Sequence, residues 1–354
     1  MKLLLASTRT SAGKTTVGLG LGLLASAKGE QVGYFKPLCD RIAPREEQAP
    51  DSVHRGQAYD RDAELFHTAL ELPEGPERLS LAYDYATLIE DRRGEDLRQA
   101  VLDRFKELAA GKGLMLIEGP RNYSYGSFLK LSAGELAVAL ESPVILVANG
   151  GLGVVVDKAL AAAYHLRSLG AELRGVVINA VPEGEREEMA EIAEPALEER
   201  GLAVLGIVPR AEELALLTPR RIAEALQARV LAGEEGLERR IENTLVGAMT
   251  VDQALKGLRR YRNVALITGG DRADMQLAAF EVSTSCLVLT GGVYPDAIVL
   301  AKADELEIPV LLVPQDTYAT ARRVEAVEPH VSPEKGKLVK RLIAEHVRWE
   351  ELLS

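Results

Sequence analysis

The sequence predicts an α/β protein: a parallel sheet flanked by helices, followed by a smaller α/β domain. Short apolar stretches alternate with helical periodicity from Lys2 to Val208, the pattern of strand-helix-strand units. Several stretches are near-continuous, as in Val144-Ile145-Leu146-Val147, which suits strands covered on both faces. After a segment rich in Glu, Arg, Ala and Leu, a second strand-and-helix series begins near Thr244.

In chain order, the first series places strands at 2–7, 31–36, 114–118, 143–148, 173–179 and 203–208, with helices between them. The second places strands at 244–248, 264–268, 286–290 and 310–313. The helical pattern between the two series reads as a linking helix. The expected division is therefore a domain at 1–215, a linking helix at 216–236 and a second domain at 237–354. Thr250 with Gln253 reads as a capping box, and Asp271 stands where an N-cap belongs. Ser332-Pro333 reads as a cap and first helical position, opening a C-terminal helix through Arg348.

A chain of 354 residues exceeds what one core usually serves, in keeping with two domains. It carries 42 Lys and Arg against 53 Asp and Glu, a net charge of -11, and only 5% aromatic residues. That field repels polyanions, so nucleic acid and anionic membrane are excluded as expected partners, and a phosphate ligand needs a local site of amides and cations. Cys39 and Cys286 are expected as buried free thiols. The apolar start after Lys2 is too short for a signal peptide, and no segment reaches membrane-spanning length without charges; the expected location is cytoplasmic. The histidines His54, His67, His165, His330 and His346 show no metal spacing.

The chemistry concentrates at Ser7-Thr8-Arg9-Thr10-Ser11-Ala12-Gly13-Lys14-Thr15-Thr16, which follows a strand and opens a helix, the context a P-loop requires. Polyphosphate needs convergent N–H donors, a cation with reach and a hydroxyl for magnesium. Gly13, Lys14 and Thr15 supply these, although Thr8 stands where the first glycine of the motif is usual. Lys36 ends an apolar strand, where its ammonium could neutralise a transferring phosphoryl group. Glu118 ends Leu114-Met115-Leu116-Ile117 and would emerge at the sheet edge as a magnesium ligand beside Thr15.

These residues resemble a known family. Ser7 to Thr15, with Ser in place of a Gly, is similar to the phosphate loop of dethiobiotin synthetase and of the related cobyrinic acid a,c-diamide synthases. Tyr34-Phe35-Lys36-Pro37-Leu38 resembles its Lys-Pro motif, Glu118-Gly119 its metal-binding Glu-Gly and Asn179 its adenine-reading asparagine. Asp62 resembles a second magnesium ligand, but reads equally as an N-cap, and Asn179 reads equally as a turn residue before Pro182. Phe35-Lys36-Pro37, Leu205-Gly206-Ile207-Val208-Pro209 and Gly269-Gly270-Asp271-Arg272-Ala273-Asp274 together resemble the N-terminal and middle (DRTGG) regions of long phosphate acetyltransferases. The sequence stops where the acetyltransferase catalytic domain would begin, so acetyl transfer is not expected. The resemblance implies ATP with Mg²⁺ as cofactors and a homo-oligomer, dimer or higher.

In the second domain, Thr268-Gly269-Gly270-Asp271 recurs as Thr290-Gly291-Gly292-Val293, each after a strand and before a helix. Successive strand-turn-helix units would bring Gly269, Gly270, Asp271, Arg272, Gly291 and Gly292 to one sheet edge, where a small anionic metabolite or nucleotide could bind; Asp271 and Asp296 read equally as helix caps. The first expectation is a nucleotide-dependent regulatory or sensor protein. The alternatives are an ATP-dependent ligase or slow ATPase, and a degenerate P-loop serving as scaffold. The bulky Pro120-Arg121-Asn122-Tyr123 after Glu118-Gly119, where the synthetases have small residues, argues against their substrate.

Overall fold

The computed structural model describes residues 1–40, 60–83, 89, 94–214, 217–325, 327 and 331–353. The side chains of Cys39, Asp40 and a few other residues, together with Tyr59, His54, His330 and the expected boundary at 215 and 216, lie outside what is described. The chain divides into two units, Met1–Ala211 with Val331–Ser354, and Glu212–His330.

The first unit runs β1 (Lys2–Ser7), α1 (Lys14–Ala27), β2 (Val32–Asp40), α2 (Arg61–Ala69), β3 (Ser80–Tyr83), α3 (Gly94–Ala109), β4 (Leu114–Glu118), α4 (Ala133–Ala139), β5 (Val144–Ala148), α5 (Leu152–Ser168), β6 (Leu173–Val181) and β7 (Val204–Pro209). Among the described residues these strands form one seven-stranded sheet in the order β3-β2-β4-β1-β5-β6-β7, with every pairing parallel. The near-continuous apolar runs are the reason: β1, β4 and β5 are buried along almost their whole length because helices cover both faces. The order reverses beside β1, and the loop after β1 therefore opens at a switch point, where open α/β sheets hold ligands.

The second unit runs α6 (Pro219–Leu226), β8 (Arg229–Ala232), β9 (Asn243–Val246), α7 (Val251–Leu258), β10 (Val264–Gly269), α8 (Ala273–Ala279), β11 (Thr284–Thr290), α9 (Ala297–Glu305), β12 (Val310–Leu312) and α10 (Thr317–Glu325). Its sheet order is β8-β12-β11-β10-β9, parallel except for the antiparallel β8. Alternation along the strands divides two cores. Val264, Leu266, Leu287 and Leu289 meet Leu258, Met275 and Val299 on one face, while Ala265, Ile267, Cys286 and Val288 meet Ile222, Leu226 and Val324 on the other. Cys286 is a buried free thiol whose burial pushes its pKa up to about 12.

Several expectations need correction. The segment read as a linking helix is α6 followed by β8, and β8 completes the second sheet because the edge of β12 would otherwise be unpaired. The C-terminal helix α11 (Gly336–His346) belongs to the first unit, not the second. Its anchor is Ile343 against Gly20 of α1, where a Cβ would lie 2.7 Å from the Ile343 Cβ, so only glycine permits that approach. Ser332-Pro333 opens a 3-10 turn ahead of α11, which ends at His346 rather than Arg348. Thr250 does precede α7, but its side chain makes no cap bond, and Arg272 rather than Asp271 stands at the N-cap of α8. No helix among the described residues is long and apolar enough to cross a membrane.

The cores imply a test of autonomy. A fragment spanning 212–330 retains both faces of the second sheet and is expected to unfold cooperatively by circular dichroism. A fragment spanning 238–354 discards β8 together with Ile222, Ala223, Leu226 and Ala232 of those cores, and is expected to lose cooperative melting.

Candidate functional site

The loop between β1 and α1 is shaped by backbone that few residues adopt: Ser11 has φ 57° and Gly13 φ 98°. Asn179, near the end of β6, explains why Gly13 has no side chain, since a Cβ there would overlap its amide nitrogen. That amide donates to the Ala12 carbonyl at 2.9 Å, so Asn179 braces the loop from below. The loop then enters α1, whose first-turn N–H groups have no intrahelical acceptor, the feature that lets helix starts attract anions. Thr16 continues the helix.

Lys14 begins α1 and is only 7% exposed. Its Nζ donates to Ser7 Oγ at 3.0 Å and to the Arg121 carbonyl at 3.3 Å, and Ser7 Oγ reaches the same carbonyl at 3.2 Å. The segment after β4 is thus laid over the loop, and Tyr123 N donates to Ser7 O at 2.8 Å. Thr8 Oγ1 is buried without a hydrogen-bond partner among the described residues.

The adjoining half of the site centres on Glu118, 2% exposed. Its Oε1 accepts from Thr15 Oγ1 at 3.2 Å and its Oε2 from Tyr34 OH at 3.0 Å. Lys36 Nζ lies 3.7 Å from Oε1, donates to Asp60 Oδ1 at 3.0 Å and pairs with Asp62. Asp60 caps α2 through a 2.8 Å bond from Asp62 N, so the N-cap anticipated at Asp62 falls two residues earlier. Asp62 pairs with Lys36. Among the described residues, no group of three or more His, Cys, Asp or Glu is arranged to hold a metal by itself.

Two members of this cluster were not singled out from sequence. Asp60 differs from Asp62 in no local signal, and Tyr34 in an apolar strand reads as core, which in part it is, stacking on Phe66 at 3.8 Å. The electrostatics follow from burial. Desolvation, reinforced by Asp62 and Asp60 against the pull of Lys36 and Lys14, pushes the Glu118 carboxyl up from 4.5 to about 7. Burial and then the charges of Glu118, Asp62 and Asp60 hold the Tyr34 phenol well above its ordinary value, which keeps it a donor. Burial alone would lower Lys36, but Asp62, Glu118 and Asp60 outweigh it and keep the ammonium charged.

In the second unit, β10 pairs with β11 so that Gly269 faces Thr290, and both glycine turns do lie at one sheet edge. The turns touch: a Cβ on Gly270 would meet the Val293 main chain. Gly291 (φ 80°) and Gly292 (φ 66°) donate their N–H groups to Gln315 O at 2.8 Å and Val313 O at 2.9 Å. Arg272 grips Asp274 at 3.0 Å and the Met249 carbonyl at 3.2 Å, while Asp271 stays exposed.

Residues 1–216 match the AAA domain family and residues 221–327 the DRTGG domain family. The chain is 27% identical over 377 residues to a phosphate acetyltransferase of Synechocystis sp., covering 99% of this chain and 51% of the relative. It is 29% identical over 356 residues to the phosphate acetyltransferase of Deinococcus radiodurans, covering 94% and 48%. The chain thus spans about half the length of these curated relatives. A solved structure of cobyrinic acid a,c-diamide synthase from Mycobacterium smegmatis with bound ADP and magnesium is 17% identical, with a TM-score of 0.38 over 60% of this chain and 87% of the other.

Glu118 makes stability depend on pH. Its folded pKa of about 7 exceeds its unfolded 4.5, so its neutral form favours folding; that contribution is complete below pH 4.5 and is lost as pH rises through 7. The ligand-free chain is expected to melt at lower temperature at pH 8 than at pH 6, with a smaller drop in Glu118→Gln. Identical drops in the two proteins would show that the carboxyl is not the titrating group.

Proposed function

This chain belongs to the AAA domain family, and from that premise we propose that its first unit holds ATP with Mg²⁺ on the 8–15 loop while its second unit, DRTGG-like, senses a small ligand and regulates the first. The observation that carries the first half is Lys14, buried at the start of a helix with its ammonium resting on neutral oxygens of Ser7 and Arg121. A phosphate set against the first turn of α1 would meet the N–H groups left over at the helix start with the Lys14 ammonium beside them, and a charge-assisted bond to phosphate is stronger than one to a hydroxyl or carbonyl. Thr8 Oγ1, buried and unpartnered, marks a further place where a ligand oxygen would be accommodated.

The residues also fit magnesium. Mg²⁺ takes hard oxygen ligands, often one or two carboxylates with water and phosphate oxygens, and Thr15 Oγ1 and Glu118 stand 3.2 Å apart as such a pair. When bound, the metal would neutralise phosphate charge. Glu118 would release Thr15 and shed the proton that burial favours, Tyr34 would keep donating to the far carboxylate oxygen, and Lys36 would remain a fixed positive charge beside the phosphates. Lys36 also supports a second reading, an ATP-dependent ligase, in which the ammonium held between Asp60 and Asp62 would stabilise a transferring phosphoryl group.

Lys14→Ala is expected to abolish binding of an ATP analogue by calorimetry while the protein stays folded, with a cooperative melt at somewhat lower temperature. Unchanged affinity would move the nucleotide elsewhere. ADP release separates the two readings: a sensor turns over negligibly. A ligase would show substrate-dependent turnover that Glu118→Gln and Lys36→Ala each lower by about a hundredfold, the scale of lost electrostatic stabilisation.

A further inference from the structure

The glycine turns of the second unit are poorly equipped for the anion expected there. Gly270 N donates to Thr290 O, Gly291 N to Gln315 O and Gly292 N to Val313 O, at 3.3, 2.8 and 2.9 Å, so these amides are already engaged. Arg272 is tied to Asp274, and Asp271, Asp274, Asp296 and Asp316 are exposed on the same edge. An oxyanion approaching it meets carboxylates.

The opposite edge has the reverse character. Where β9, β10 and β11 begin, a cavity of about 480 Å³ is lined by Arg239, Arg240, Asn263 and Ser283, with Phe280 and Val282 as apolar wall. That volume lies within the range of small-molecule sites. The turn from α7 into β10, which carries the lining residue Asn263, also carries Arg259, Arg260 and Arg262, all exposed, and exposed Tyr261. Five arginines thus gather on the entries to two adjacent strands in a chain whose net charge is -11. Acids are present too: Glu242 lies 3.2 Å from Arg240 and Glu307 3.7 Å from Arg239, and Glu281 is exposed nearby. These three carboxylates offset part of the charge of the five arginines. Arg239 also donates to Leu306 O at 2.8 Å, which fixes its fork against the cavity wall.

We propose that this cavity is the ligand site of the second unit and binds a small metabolite bearing a phosphate or carboxylate on a short apolar body. Guanidinium forks match the planar spacing of oxyanion oxygens, and the local reversal of sign draws an anion out of an otherwise repelling field. The rim acids limit the ligand to a small anion rather than a polyanion. The site deepens the sensing role given above to the second unit and is independent of the nucleotide loop.

Calorimetry on the full chain carrying Lys14→Ala, which disables the nucleotide loop, tests it with inorganic pyrophosphate and citrate as separate probes. Phosphate recognition is expected to show as pyrophosphate binding and carboxylate recognition as citrate binding. Arg239→Gln with Arg240→Gln is expected to weaken either by about tenfold or more, and Arg240→Lys, which keeps charge without the fork, is expected to restore only part. Arg272→Ala at the far edge is expected to leave affinity unchanged. Circular dichroism melts confirm that each variant is folded. No binding of either probe, or binding lost through Arg272→Ala instead, overturns the proposal. An ATP analogue titrated into the unsubstituted chain reads the first unit separately, so its failure is distinguishable from failure here.

Discussion

The first unit depends on one buried carboxylate. Glu118 accepts from Thr15 at the start of α1 and from Tyr34 on β2, and lies 3.7 Å from Lys36, which is itself fastened to Asp60 at the cap of α2. A charge removed from water costs on the order of several kcal/mol unless its lone pairs are satisfied, and removing a partner is worse than never having had the pair. Three elements must therefore meet correctly for Glu118 to be tolerated at all. The same requirement sets the position of the loop, because Thr15 is one of the donors.

That arrangement resists neutralisation only partly. Burial pushes the Glu118 carboxyl up to about 7, which means that Lys36 and Lys14 offset the desolvation without cancelling it, since Asp62 and Asp60 compete for Lys36. A carboxyl raised to about 7 by burial is one that a bound cation would readily deprotonate. A magnesium-bound polyphosphate, as proposed above, would add a phosphate oxygen to the partners of Lys14 and a divalent cation to those of Glu118.

Much of this was legible locally. The loop, its lysine and its hydroxyl stand together in sequence after a strand, and Glu118 closes a run that could only be a buried strand. What escaped was set by contacts distant in the chain. Tyr34 and Asp60 acquire roles only through Glu118 and Lys36, and the bond from Asn179 to the Ala12 carbonyl forms because β6 ends beside the loop. The C-terminal helix follows the second domain in sequence but packs on α1, a choice made by Gly20 and Ile343 and invisible to periodicity. The repeated glycine turns did predict a shared edge, yet the carbonyl acceptors that engage Gly291 and Gly292 come from beyond β12, and the arginines of the other edge are scattered over two loops.

The central claim is that Lys14, Thr15 and Glu118 form one phosphate-and-magnesium site. A crystal structure of the full chain with a non-hydrolysable ATP analogue and Mg²⁺ tests it most directly. The account predicts phosphate density against the main chain of Gly13 to Thr15, Lys14 Nζ moved from Ser7 onto a phosphate oxygen, and the metal between Thr15 Oγ1 and Glu118. Nucleotide density elsewhere, with Lys14 still on Ser7 and Thr15 still on Glu118, would contradict it.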